Sequence, residues 1–228
     1  MPFVPDPELG NRIITLMAAL VLVLQIAAVG QRGIVSSIRI FAVQSFLLGA
    51  IAVVIAYFNQ AEHIYIAALL TVFLKAGVLP RVLERLVERI GIRREIEPLI
   101  NVPLSILIAG GLTLLGYVVA ESFYHPEETS VRAALGHNTL AVAIALFLIG
   151  FFTMVNRRKA LTQVLGLLSL ENGLFLAAIS LTYGMPLVVE LGIFFDVLVA
   201  VMVLGILVFR IGEAFDSMDV SKLRRLRE

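Results

Sequence analysis

Runs of roughly twenty apolar residues recur along this chain, and they constrain its fold more than any other feature. Seven stretches qualify, at 12–29, 38–58, 64–80, 100–120, 136–155, 160–181 and 186–211. At about 1.5 Å of rise per residue, each approaches or exceeds the length needed to cross a hydrocarbon core about 30 Å thick. The third is the shortest and contains Lys75. Lipid offers no partner for a bare backbone N–H or C=O, so such spans are helices. With 60% hydrophobic residues and a mean hydropathy of +0.98, 228 residues carry more apolar surface than a soluble domain hides. The expectation is an all-α polytopic membrane protein, a single transmembrane domain over 1–228 with about seven transmembrane helices.

Charge supplies an orientation. With the N-terminus outside, 15 of the 18 Lys and Arg residues fall in cytoplasmic segments. These are Arg32 and Arg39, the series from Arg81 to Arg94, the NRRK link at 156–159, and Arg210 with the basic tail. Arg12 and Arg132 fall outside and Lys75 lies within a span, while Glu62, Glu121, Glu127 and Glu128 mark the outer loops. The C-terminal tail, 212–228, is then cytoplasmic. The opening MPFVPDPELG has no basic n-region, so the first span is expected to be retained rather than cleaved.

One segment departs from the pattern of spans. RVLERLVERI, from Arg81 to Ile90, puts Arg81, Glu84, Arg85, Glu88 and Arg89 on one helical face and Val82, Leu83, Leu86, Val87 and Ile90 on the other. Pro80 is expected to bend the helix at its junction with the third span. An amphipathic cytoplasmic helix over 81–97 follows, lying on the membrane surface or on a partner; a solvated tail of the third span is the alternative. The first four spans and this helix form an N-terminal part, 1–135, followed by a three-span part, 136–211.

Within the last two spans stand three carboxylates: Glu171, Glu190 and Asp196. A charge at the centre of a span costs about 2.5–3.5 kcal/mol on insertion scales, so an intramembrane acid implies a partner or a task. Glu171 lies about 16 Å into its span from the cytoplasmic end, and Asp196 about 15 Å from the outer end of the next. Antiparallel neighbours would bring these two to similar depth. Glu190 sits nearer the outer interface and, six residues from Asp196, faces another side of the helix. A carboxylic acid in a low-dielectric site takes up and releases protons closer to neutral pH, which suits a proton path. A structural hydrogen bond is the alternative for each acid, and for Glu190 also a cap or a headgroup contact.

Supporting polar residues are Asn172 and Gln163 on the Glu171 span and Gln44 in the second span, as hydrogen-bond partners, water anchors or helix fasteners. Two placements are open for Lys75: a stem snorkelling to the cytoplasmic face, or a pair with a buried acid. Gly110, Gly111 and Gly116 in the fourth span are expected to admit close helix packing.

Other chemistry is excluded or unsupported. There is no Cys, hence no disulfide and no thiolate ligation, and His63, His125 and His137 lack ligand spacing. No phosphate loop, nucleophile–base arrangement or cofactor signature is present, so no cofactor, no metal and no catalytic site of its own are expected. Nothing suggests a nucleic-acid partner.

The stretch NRRKALTQVLGLLSLENGLFLAAISLTYGMPLVVELGIFFDVLVAVMVLGILVFR resembles the E component of hydrogenase-4 and of related formate hydrogenlyase complexes. LSLENGLFLAA and GMPLVVELGIFFDVLV are the most telling pieces. The same region is similar, more distantly, to the three-helix K subunit of respiratory complex I and to the C subunit of Mrp-type cation antiporters. The resemblance is strong over 155–211 and thinner over the first four spans. It implies a multi-pass subunit of a bacterial or archaeal cytoplasmic membrane, in a complex I-related assembly of the group 4 hydrogenase or formate-linked type. Antiporter-like and complex I-like membrane subunits and a peripheral redox module would be its partners.

In the K subunit, two consecutive spans each carry a buried glutamate of a proton-conducting axis. Glu171 matches the first; Asp196 matches the second by its distance from the basic helix end, and Glu190 competes for that match. Asp in place of Glu departs from the pattern and has a shorter reach. The function implied is a contribution to a proton or sodium path through Glu171 and Asp196, with Lys75 as modulator. The rivals are a non-conducting scaffold subunit of the same membrane arm and an autonomous secondary transporter, the latter predicting inverted repeats or discontinuous helices.

Overall fold

The computed structural model describes residues 7–59, 62–90, 99–123 and 131–181, together with residue 205. Seven α-helices are present among them: α1 (Pro7–Gly30), α2 (Ile34–Asn59), α3 (Glu62–Leu70), α4 (Leu79–Ile90), α5 (Val102–Glu121), α6 (Val131–Asn156) and α7 (Ala160–Leu181). A π-helical segment, Thr71–Val78, joins α3 to α4 without a break. Among the described residues, six helical stretches are long and apolar enough to cross a membrane: Glu8–Gly30, Ile34–Phe58, Ile64–Glu88, Val102–Glu121, Asn138–Asn156 and Leu161–Ser180. Each overlaps one of the first six expected spans, but the third runs on to Glu88 instead of ending at 80. The seventh, at 186–211, lies outside the described residues except for residue 205, as does the whole tail at 212–228.

The bundle is layered along its length. At one end, Ile14 and Val21 of α1, Leu48 and Ile51 of α2, Ile64 of α3, Leu146 of α6 and Leu176 of α7 form one apolar cluster. Towards the other end, Ile38 and Phe41 of α2, Leu83 and Leu86 of α4 and Leu165 and Leu168 of α7 form a second. On each helical run that joins both clusters, the buried side chains between them are polar. These are Gln44 and Ser45 on α2, Thr71 and Lys75 in the π segment, and Glu171 and Asn172 on α7, all buried. A polar layer thus divides two apolar ones.

Close approach of α6 and α7 depends on glycine. A Cβ on Gly173 would lie 2.5 Å from the Phe147 backbone nitrogen, and one on Gly166 would lie 2.6 Å from that of Met154. Lipid tails are as apolar as leucine, so backbone-to-backbone packing of this kind replaces the hydrophobic drive of soluble bundles. Gly116 packs likewise against Ala141 and Ala145 of α6, whereas Gly110 and Gly111 face open space, contrary to the expectation for the fourth span. The outer faces stay apolar, with Leu16, Leu69, Leu107 and Leu114 exposed.

The amphipathic segment after Pro80 differs from expectation in two respects. Its apolar face, Leu83, Leu86 and Val87, is buried against α2 and α7 of this chain, so neither lipid nor a partner is needed to cover it. Pro80 also lies within α4 rather than ending a span. Proline removes an N–H and its ring crowds the carbonyl four residues back. The widened turn just upstream, where the Leu79 N–H donates to the Leu74 carbonyl five residues back, accommodates that defect. The expected stretch 91–97 lies outside the described residues.

Candidate functional site in the polar layer

The centre of the polar layer is an ion pair. Lys75 Nζ stands 3.5 Å from Glu171 Oε1, with the two side chains 2% and 4% exposed. The ammonium also lies 5.9 Å from the centre of the Phe175 ring, one turn along α7 from Glu171, within cation–π reach. Of the two placements open for Lys75, the buried one is observed. The π segment is the reason it holds. Thr71, Lys75, Leu79, Leu83 and Val87 are all buried at spacings of four. In an α-helix of about 3.6 residues per turn, such a row drifts by roughly 40° per step. A wider turn from Thr71 to Val78 removes the drift and keeps Lys75 on the inward line.

From Glu171 the layer continues through its neighbour. Asn172 Nδ2 donates to Gln44 Oε1 at 3.4 Å and to Ser45 Oγ at 3.3 Å. Gln44 Nε2 donates to Gln25 Oε1 at 2.9 Å and to the Val21 carbonyl at 3.3 Å. A chain of amides therefore runs from α7 through α2 to α1, beginning one residue from the ion pair. Asn172 Oδ1 is buried with no hydrogen-bond partner among the described residues, which leaves an acceptor for an ordered water. Gln25 and Ser45 had no place among the expected site residues. The available signal was a lone amide in LVLVLQIAAVG and a hydroxyl beside Gln44.

Beyond Gln25 and Gln44 lies a cavity of about 20 Å³, lined among others by Ser37, Thr162, Ser169 and Arg157. Arg157 follows α6 directly. Its Nη2 donates at 2.7 Å to the carbonyl of Val29, which caps the C-terminus of α1. Burial lowers the Arg157 pKa from its usual value. The neighbouring Asn156 holds the entry to α5: its carbonyl and Oδ1 accept from the Leu99 and Ile100 amides, and its Nδ2 donates to Ser105 Oγ.

The expected site residues thus separate into three sets. Glu171, Lys75, Asn172 and Gln44 come together. Gln163 does not: it sits in the first turn of α7, where its Nε2 donates to the Arg157 carbonyl at 2.9 Å. Glu190 and Asp196 lie outside the described residues. Among the described residues, no three His, Cys, Asp or Glu side chains gather as metal ligands would. The arrangement sets a buried carboxylate beside an ammonium, with amides and hydroxyls able to order water between helices.

Over 201 residues the chain is 35% identical to the uncharacterized protein Rv0085 of Mycobacterium tuberculosis, covering 88% of this chain and 89% of that one. Over 218 residues it is 26% identical to hydrogenase-4 component E of Escherichia coli and, equally, of Shigella flexneri, covering 96% of this chain and 99% of each relative. The likeness therefore extends through the first four spans, beyond the region 155–211 in which it is most legible. No family model and no solved structure matches.

Proposed function

The chain belongs to the hydrogenase-4 component E family, and from that premise we propose that it is an integral-membrane subunit of a redox-driven, ion-translocating complex. Its part is to supply Glu171 and Lys75 to a proton or sodium path in the membrane arm. Redox energy is released in peripheral subunits of the complex, and this chain takes no catalytic step. The observation that carries the proposal is the buried Lys75–Glu171 pair at the head of the Asn172–Gln44–Gln25 chain. A buried pair is weak as a stabilising device, because desolvation offsets much of its attraction. Its retention in the middle of an apolar bundle is better accounted for by a task.

In this mechanism Glu171 passes between a charged form paired with Lys75 and a protonated or cation-bound form. Lys75 biases that exchange, and Asn172, Ser45 and Gln44 order the water that carries the ion towards the Arg157 end of the bundle. Asp196, with Glu190 as competitor, supplies the next acid on the seventh span, as the likeness to the K subunit suggests. The topology that goes with this reading has seven spans, the N-terminus outside, and the Arg157 end facing the cytoplasm across a bacterial inner membrane.

The test is Glu171→Gln in the complex purified from native membranes. Normal assembly with loss of ion uptake into energised vesicles is expected. Normal assembly with wild-type uptake would leave Glu171 a fastener and make the chain a scaffold. Uptake by the purified chain alone in liposomes would instead favour an autonomous transporter.

A further inference from the structure

Arg157 is a second buried charge, and the ion path makes no use of it. The residue is 3% exposed. Of its two terminal nitrogens, Nη2 is occupied by the Val29 carbonyl, while Nη1 is buried with no hydrogen-bond partner among the described residues. The ion pairs found among those residues are Arg12–Glu8, Arg39–Glu84 and Lys75–Glu171, and none includes Arg157. A guanidinium does not escape burial by losing its proton, so it requires a counter-charge. The α1 C-terminus supplies a partial one on the Nη2 side. Among the described residues, the Nη1 side has none.

The surroundings of Arg157 have the composition of an anion site. The cavity it lines includes Gln25 and Ser169, whose amide and hydroxyl are donors, while the donors of Ser37, Thr162 and Gln44 are engaged with the Gly33 and Lys159 carbonyls and with Val21 and Gln25; no carboxylate is among its described lining residues. Its volume of about 20 Å³ suits one small occupant, about the size of a water molecule or a halide ion. A water molecule there would satisfy hydrogen bonds but would leave the charge of Arg157 uncompensated.

We propose that this cavity binds a small monovalent anion of halide size, with the Arg157 guanidinium as its principal ligand and the Ser169 hydroxyl and Gln25 amide as further donors. Bound there, the anion joins α1, α2, α6 and α7 at one end of the bundle. This assignment does not depend on the ion path through Glu171.

The test uses the full chain in lipid nanodiscs, dialysed into potassium gluconate and titrated with potassium chloride. At ten times its dissociation constant, chloride should raise the thermal midpoint by about 3–6 °C, from ligand linkage and the usual slope for a chain of this size. Arg157→Gln should abolish the rise. Ser169→Val, which keeps the guanidinium and fills the cavity, should abolish it too and decides the matter should Arg157→Gln fail to fold. Crystals grown in bromide should place an anomalous peak in the cavity. Equal midpoints in gluconate and chloride for the unmodified chain would overturn the proposal, as would a chloride-induced rise that persists in either variant.

Discussion

Lys75→Met withdraws the ammonium from beside a carboxylate that is 4% exposed. At the observed 3.5 Å and an effective dielectric of about 20, the two unit charges attract by about 5 kcal/mol. Desolvation of both groups offsets part of that attraction while both are present. The single variant keeps the desolvation cost of Glu171 and forfeits the attraction, so a loss of about 3–5 kcal/mol is expected. Glu171→Gln leaves Lys75 in the corresponding position. The double variant, Lys75→Met with Glu171→Gln, carries neither charge at nearly the same volume. It should therefore be more stable than either single variant, with a coupling of at least about 2 kcal/mol. The assay is equilibrium unfolding in mixed micelles of dodecyl maltoside and dodecyl sulfate, followed by circular dichroism. Additivity of the two single effects to within about 0.5 kcal/mol would refute the claim that the two charges hold one another.

Four further perturbations probe the surrounding structure by the same unfolding assay. Asn172→Leu removes the link from α7 to Gln44 and Ser45 and should cost about 1–3 kcal/mol, leaving the Gln44–Gln25 bond to fasten α2 to α1. Gly173→Val brings a side chain against the backbone of Phe147 and Ala143, where no flexible group can yield, and should cost about 1–3 kcal/mol or more. Leu83→Asp places a charge on the buried face of α4 and should cost more than about 3 kcal/mol. By contrast, Glu84→Gln, which breaks the exposed pair with Arg39, should cost less than about 1 kcal/mol.

The lengths of the apolar runs made six helices legible, and their ends differ for a simple reason. The expected 12–29 becomes Pro7–Gly30 and 136–155 becomes Val131–Asn156, because a helix continues into polar residues once its hydrogen-bond ladder is running. Depth along a span was legible too, since it follows from counting residues, and it put Glu171 near the middle. Rotation was not. Whether Lys75 points inward depends on the π segment at Thr71–Val78, and the row of residues spaced by four was its one trace in the sequence. Partners across helices were also hidden. Gln25 and Gln44 sit in separate spans with nothing local to pair them, and Gln163, close to Glu171 in sequence, turns instead to the Arg157 carbonyl.

Why the acid stands on α7 follows from the same geometry. Of the span on α7, 67% is buried within the described chain, against 17% for the span on α5. A helix with protein around most of its circumference can present a carboxylate to other polar groups, whereas α5 turns Leu107, Leu114 and Val118 outward and carries no charge between its ends. That enclosure rests on glycine: Gly166 and Gly173 bring α7 against α6, and Gly173 lies only two residues beyond Glu171. Position and charge are therefore separable properties of one helix. Enlarging Gly173 should displace the carboxylate without neutralising it, and Glu171→Gln should neutralise it without displacing it. An ion path requires both, while a fastening role tolerates the second change provided the amide keeps its neighbours. Comparing ion uptake by the two variants at equal assembly therefore distinguishes a conducting carboxylate from a structural one.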